Sequence, residues 1–201
     1  MKKVFFDNLQ FKVPEKVYLP REDSFLAGEY LQRMDLKGKK VLDLGTGSGF
    51  LGIIASKKGG IVDCADLSPL ALDTAELNAE LNEVELNVFK TDLFSNISEK
   101  YDVILFNAPY LPDKVDKEDL ESLTWAGGED GREVLDKFLE KCSDYLEEKG
   151  VIIFVQSSLT GRDETFSKLE EEGFDGEVVM EEKVDWENLL VFKGSLRDSK
   201  F

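Results

Sequence analysis

The sequence predicts an α/β chain built on a mostly parallel sheet, with helices on both faces and a closing antiparallel hairpin. Three observations carry this prediction. Short apolar runs of strand length alternate with helical patterns between residues 40 and 172. Several of these runs are continuously apolar rather than alternating, as strands covered on both faces are. Two last strand-like runs, 176–183 and 186–193, stand close enough to pair as a hairpin.

Residues 40–44 read as a first buried strand, and Gly45, Gly47 and Gly49 then make a tight turn into a helical pattern at 50–55 that Gly59-Gly60 ends. A second strand, 61–65, stops at Asp66. Ser68-Pro69 supplies an N-cap and a first-turn proline for a helix over 70–82. Residues 85–90 alternate apolar and polar like an exposed edge strand, and 101–106 form a fourth strand. Val134, Leu135, Phe138, Leu139, Cys142, Tyr145 and Leu146 recur at helical spacing, so a helix is expected over 134–146, closed by Gly150. A fully apolar fifth strand, 151–155, and a helix over about 165–172 follow. Residues 195–201 read as a frayed tail.

With 201 residues and 42% hydrophobic content, the chain suffices for one α/β domain with a sizeable core. No apolar run approaches membrane-span length, and the start, Met1 to Asp7, is broken too soon by charge for a signal peptide, so a cytoplasmic location is expected. Cys64 and Cys142 lack metal-ligand spacing, and the chain has no histidine; both thiols read as core and no metal site is expected. A net charge of −17 disfavours stable nucleic-acid binding, which needs clustered Lys and Arg. Acidic runs such as 170–172 read as solvated faces, or as a field that attracts a basic partner.

The stretch Asp43-Leu44-Gly45-Thr46-Gly47-Ser48-Gly49 opens the candidate site. Its glycines depart from the Gly-x-Gly-x-x-Gly spacing of dinucleotide sites, and position 50 is Phe. This suits a cofactor with no pyrophosphate, whose amino-acid end lies over the turn while its ribose and base run along the carboxyl ends of the strands. Asp66 is placed to accept from two ribose hydroxyls. Asp92 could accept from an adenine amino group, with Leu93 or Phe94 against the ring, and Asp43 could orient the loop or the cofactor's amino group. Glycine turns and strand-end acids are often only structural; three glycines after one strand and acids after the next two favour the cofactor.

Asn107-Ala108-Pro109-Tyr110, after the fourth strand, supplies the chemistry. The Asn107 side-chain oxygen and the Ala108 carbonyl can accept the two N–H groups of a planar amide or amine, and Tyr110 can stack on its plane. Asn and Pro are common in ordinary turns; the tetrapeptide gains meaning from its place downstream of the cofactor half. Together the halves suggest S-adenosylmethionine-dependent methylation of a planar nitrogen, in which positive charge moves onto the acceptor and fixed acceptors help where it develops. No general base is needed.

These segments resemble the HemK-like glutamine N5-methyltransferases that modify peptide-chain release factors: Asp43 to Gly49, Asp66-Leu67-Ser68-Pro69-Leu70-Ala71, and Asn107 to Tyr110. Val17-Tyr18-Leu19-Pro20-Arg21-Glu22-Asp23-Ser24 and Trp125-Ala126-Gly127-Gly128-Glu129-Asp130-Gly131-Arg132 look like its eukaryotic and archaeal branch. The resemblance spans about residues 12–193. It implies a Rossmann-like class I methyltransferase with a seven-stranded sheet. The whole of residues 1–201 would form one domain, with residues 1–35 as an N-terminal segment and helix over the cofactor site. The cofactor-binding set would be Asp23, Ser24, Asp43, Gly45, Thr46, Gly47, Gly49, Asp66, Leu67, Asp92, Leu93 and Asn107. Asn107, Ala108, Pro109 and Tyr110 would hold the glutamine of a Gly-Gly-Gln motif, while Asp23 and Ser24 help close the site.

In one departure, Ala108 stands where the family usually has Pro, which loosens the turn and keeps the carbonyl. A small zinc-binding activator is the implied heterodimer partner, with 85–90 as the edge it would pair with. Adenine-N6 methylation of DNA or RNA, methylation of a lysine or small molecule, and a non-catalytic cofactor-binding subunit are the competing readings. The charge and the missing target-recognition domain oppose the first, and the intact Asn107 and Tyr110 oppose the last.

Overall fold

The structure, a computed structural model, describes residues 1–110, 128 and 131–197. A two-stranded hairpin, β1 (Lys2–Phe6) and β2 (Leu9–Val13), opens the chain and leads to α1 (Glu22–Arg33). Then come β3 (Lys40–Leu44), α2 (Phe50–Lys57), β4 (Ile61–Asp66), α3 (Pro69–Leu81), β5 (Asn87–Lys90) and β6 (Tyr101–Asn107). The remainder is α4 (Glu133–Cys142), β7 (Leu146–Ser157), α5 (Arg162–Glu171), β8 (Phe174–Val184) and β9 (Glu187–Leu196).

The seven strands after the hairpin form one sheet in the order β5-β4-β3-β6-β7-β9-β8. From β5 to β7 every pairing is parallel, and β9 runs antiparallel to both β7 and β8. Because successive side chains alternate faces, adjacent residues serve different cores. Val41, Val103, Leu105, Ile153 and Val191 pack with α1, α2 and the N-terminal hairpin. Leu42, Leu44, Ile104, Phe106, Phe154 and Phe192 pack with Phe138 and Leu139 of α4 and Leu169 of α5. The central strands β3 and β6 and the second half of β7 therefore carry no polar face, which is why they read as unbroken apolar runs.

The expected 134–146 helix is shorter. It ends at Cys142 in a 3-10 turn, Ser143–Tyr145, and Leu146 already pairs with Tyr101 in the sheet. The apolar spacing outlasts the helix because Tyr145, in the turn, still stacks on Phe94 with ring centroids 4.5 Å apart. Gly150, expected to close the helix, lies inside β7, just after Lys149 at φ 67. The expected tail begins later than Ser195: β9 reaches Leu196, and Arg197 donates its backbone N–H to Gly173 O at 3.0 Å and its Nε to Asp175 at 2.7 Å. Residues 198–201 lie outside the described residues.

The β1–β2 hairpin is a further element. Val4, Leu9, Phe11 and Val13 face the core, and Asp7 takes the positive φ of the two-residue turn. No described helix is long and apolar enough to cross a membrane.

The strand order reverses at β3. The chain steps outward through β4 to β5, then crosses back to place β6 on the other side of β3. Outside the carboxyl ends of β3 and β6 the connections part in opposite directions, which opens the crevice where ligands bind in such sheets.

Candidate active site

A cavity of about 950 Å³ fills that crevice. Of the residues expected from sequence to hold the cofactor, Asp23, Ser24, Asp43, Gly45, Thr46, Gly47, Asp66, Leu67, Asp92, Leu93 and Asn107 all line it, as do Ala108, Pro109 and Tyr110. Gly49 stands apart. It begins α2 at φ 78, where a Cβ would come 3.1 Å from Ala75 Cα, so its place is in the close approach of α2 to α3.

The glycine turn is held by the two acids flanking it. Asp43 is 2% exposed, and its Oδ2 accepts from Thr46 Oγ1 at 2.6 Å and from the Gly52 N–H at 2.9 Å. Burial pushes its carboxyl up to about 7, although those two hydrogen bonds pull the other way and the nearby Asp66 adds to the rise. Asp66 accepts from the Gly47 N–H through one oxygen and from the Ser68 N–H through the other, both at 2.9 Å. Burial also raises the Asp66 carboxyl, against those backbone donors. The same carboxyl lines the cavity.

After β5, Leu93 takes φ 45, a conformation a Leu side chain rarely adopts. Thr91 Oγ1 donates to the Leu93 carbonyl at 2.8 Å and holds the turn. Leu93 thereby lines the cavity. Phe94 turns into the core between Phe138 and Tyr145, so of the two residues considered for the adenine ring only Leu93 lines the cavity.

At the end of β6, Asn107 Nδ2 donates to Asp23 Oδ2 at 3.0 Å and to Ser24 Oγ at 3.2 Å. Asp23 also accepts from Tyr18 Oη at 2.8 Å and from Tyr110 Oη at 3.4 Å. Burial first and the Asp23 carboxylate second push both tyrosine hydroxyls up, so both remain donors. A carboxylate can only accept, so the amide NH₂ must face Asp23. Asn107 Oδ1 is left as the buried side-chain polar atom with no partner among the described residues.

Sequence reasoning missed part of the wall. Lys16, Tyr18 and Pro20 line the cavity from before α1, and Glu133, Val134 and Lys137 line it from α4. Tyr18 lies in the recognised 17–24 segment, where its place five residues before Asp23 was the available signal. Of the α4 residues, Val134 reads only as part of the apolar face, and Glu133 and Lys137 carry no signal because the helix pattern marks only the face turned to the core. Of the 125–132 segment, Gly128, Gly131 and Arg132 are described. Arg132 donates to Thr160 O at 2.7 Å and pairs with Asp136 at 2.7 Å, which ties the start of α4 to the turn after β7.

The cavity fits S-adenosylmethionine on this chemistry: a glycine turn open to an amino-acid group, an acceptor carboxyl on the wall for a diol, an apolar Leu93, and an acceptor left over at Asn107. A model of the methyltransferase small domain matches residues 25–183. A Methanocaldococcus jannaschii protein, provisionally named a protein N5-glutamine methyltransferase, is 43% identical over 189 residues, which is 92% of this chain and 94% of that protein. The human methyltransferase HEMK2 is 31% identical over 88% of each chain. Among solved structures, the E. cuniculi Mtq2-Trm112 complex, responsible for methylation of the eRF1 translation termination factor, superposes with a TM-score of 0.74 at 28% identity, over 90% of this chain and 99% of that one. The chain belongs to the methyltransferase small-domain family and, within it, to the HemK-like group; it is an S-adenosylmethionine-dependent methyltransferase.

Proposed function

We propose that the acceptor is the glutamine side chain of a Gly-Gly-Gln loop in a peptide-chain release factor, methylated at N5. The observation that carries this reading is the orientation of Asn107, whose NH₂ is spent on Asp23 and Ser24 while its buried oxygen stands without a partner. A primary amide brings two N–H donors, and an unfilled buried acceptor costs about 1–3 kcal/mol, which a matching donor recovers. Asn107 Oδ1 accepts one N–H, the Ala108 carbonyl accepts the other, and Tyr110 packs on the amide plane. The NH₂ contacts keep the Asn107 amide from flipping, so the acceptor nitrogen is held in one orientation, and such positioning is worth several kcal/mol.

When bound, the cofactor supplies an electrophilic methyl group on a sulfonium. Asp66 would take the ribose hydroxyls, Leu93 would pack on the base, Asp92 would accept from its amino group, and the glycine turn would hold the amino-acid end. Residues 1–35, through Tyr18, Asp23 and Ser24, cover this site within a single domain. The methylated nitrogen passes its proton to water.

The named activities of the similar proteins support this acceptor. The neighbouring Mtq2 structure is a complex with Trm112, which supports a small activator partner here; we assign it to β5, the last strand at one side of the sheet, and take it to bind zinc. Co-elution of the two purified proteins in gel filtration tests that pairing, and two separate peaks would refute it. A cytoplasmic location accompanies a role in translation termination. The deciding experiment transfers radiolabelled methyl to a release factor, to the same factor with its Gly-Gly-Gln glutamine replaced, and to tRNA and DNA. Label confined to the intact factor supports the reading, and label on nucleic acid or on both factor forms overturns it.

A further inference from the structure

We propose that the tip of the β8–β9 hairpin, with Trp186 at its apex and Leu159 on the adjoining turn, is the surface on which the enzyme docks the folded acceptor protein around its reactive loop. The proposal rests on the release-factor reading and extends it to contacts outside the glutamine. Trp186 is 93% exposed, the highest value among the large hydrophobic side chains of the described residues, and Leu159 is 71% exposed. Scattered exposed apolar residues are ordinary; these two are joined to each other and to the acceptor end of the site. The Asn188 N–H, two residues past Trp186, donates to Ser158 Oγ at 2.9 Å, next to Leu159. In the same turn, Thr160 and Tyr110 of the candidate site both approach Gly131, where a Cβ would lie 2.9 Å from Thr160 Cγ2 and 2.5 Å from Tyr110 O.

Nothing in the turn itself asks for an indole. Val184 pairs with Glu187 across a two-residue turn, and Asp185, at φ 46, carries the strained conformation. The tip therefore holds a large aromatic that folding does not use, beside the place where the acceptor must enter. Aromatic side chains that meet a pocket on a partner dominate protein interfaces. The hairpin on which the indole stands is acidic on balance, with exposed Glu181, Glu182 and Asp185 against exposed Lys183, and Glu187 sits close enough to Tyr110 to raise its hydroxyl. The matching surface is an apolar patch bordered by Lys and Arg, as on a protein that binds RNA. The hairpin also lies at the opposite end of the sheet from β5, so docking here leaves that edge free for an activator.

The test compares steady-state methylation of an intact release factor with that of a short synthetic Gly-Gly-Gln peptide, using wild type, Trp186→Ala, Trp186→Phe and Leu159→Ser with matched thermal melts. Expected is a rise of about tenfold or more in KM for the intact factor with Trp186→Ala, a smaller rise with Leu159→Ser, and near-recovery with Trp186→Phe. The kcat, the KM for S-adenosylmethionine and the peptide reaction should not change. Equal KM values for wild type and Trp186→Ala on the intact factor overturn the docking surface, as does an equal loss on the peptide. Wild type that leaves the release factor unlabelled overturns the acceptor assignment instead.

Discussion

Asp23 receives hydrogen bonds from Tyr18, Ser24, Asn107 and Tyr110, so one carboxylate ties the segment before α1 to the end of β6. The identities of these residues are legible as two separate motifs, but their meeting is not, because 84 positions separate Asp23 from Asn107. In the proposed roles, Asn107→Ala removes the acceptor for the substrate amide and lowers kcat by about a hundredfold, while calorimetric affinity for S-adenosylmethionine is retained. Asp66→Ala does the reverse, weakening cofactor binding by about 1–3 kcal/mol through lost charged hydrogen bonds. Equal loss of cofactor affinity in both variants contradicts the division. Asp43 gives a pH signature. Its carboxyl is held up to about 7 by burial, whereas an unfolded Asp titrates near pH 3.9. Between those values the folded chain keeps a proton that unfolding releases, so stability falls as pH rises through the window and levels off above it. The slope approaches about 1.4 kcal/mol per pH unit at most. Asn in place of Asp43 retains an acceptor for Thr46 and Gly52 without titrating. Urea unfolding from pH 4 to 7 should show wild type losing ground to Asp43→Asn, and parallel curves would mean that Asp43 is ionised throughout.

At the scale of elements, the parallel strands were readable because both faces are buried, and α3 because Ser68 caps it, its hydroxyl accepting from the Ala71 N–H. The β1–β2 hairpin was missed although its alternation and Asp7-Asn8 turn are present. A two-stranded hairpin has little stability alone, and what fixes this one is distant in sequence. Asn82 of α3's C-cap accepts from the Gln10 N–H at 3.0 Å and donates to Gln10 O at 2.8 Å. Asn78, one helical turn earlier, treats Lys12 the same way and also donates to Ser48 O, in the glycine turn, at 2.9 Å. Two amides spaced i, i+4 thus replace the strand partner that β2 lacks on its second edge. Asn78 is fully buried, and Asn78→Ala would leave Lys12 and Ser48 groups unsatisfied at a cost of about 2–3 kcal/mol. The expected result is a lower urea midpoint together with weaker cofactor binding, since Ser48 belongs to the turn proposed to carry the cofactor. A stability loss under about 0.5 kcal/mol, the size of an ordinary surface change, would show that the hairpin is held by its apolar face alone.

For the whole molecule, charge and topology act together. The crevice at the β3–β6 reversal, the β5 edge and the hairpin tip occupy three separate parts of one sheet, so the proposed activator and acceptor surfaces would not compete with the cofactor crevice. The net charge of −17 spreads over all of it. Exposed pairs such as Lys39 with Asp102 at 3.1 Å and Lys193 with Glu177 at 2.7 Å return little, about 0–1 kcal/mol each. The uncompensated carboxylates repel one another over distances near the Debye length, about 10 Å at 0.1 M salt. Added salt screens this repulsion more than it weakens the few close pairs, because the excess of like charge is a property of the whole surface and the pairs are local. Raising sodium chloride from 10 to 150 mM at pH 7.5 should therefore raise the melting temperature, and a gain of about 1 kcal/mol corresponds to roughly 2–4 °C for a chain of this size. Calorimetry at both concentrations checks the sign. A melting temperature that falls with salt would mean that the ion pairs outweigh the net charge, and that the acidic surface is balanced locally rather than held open for a basic partner.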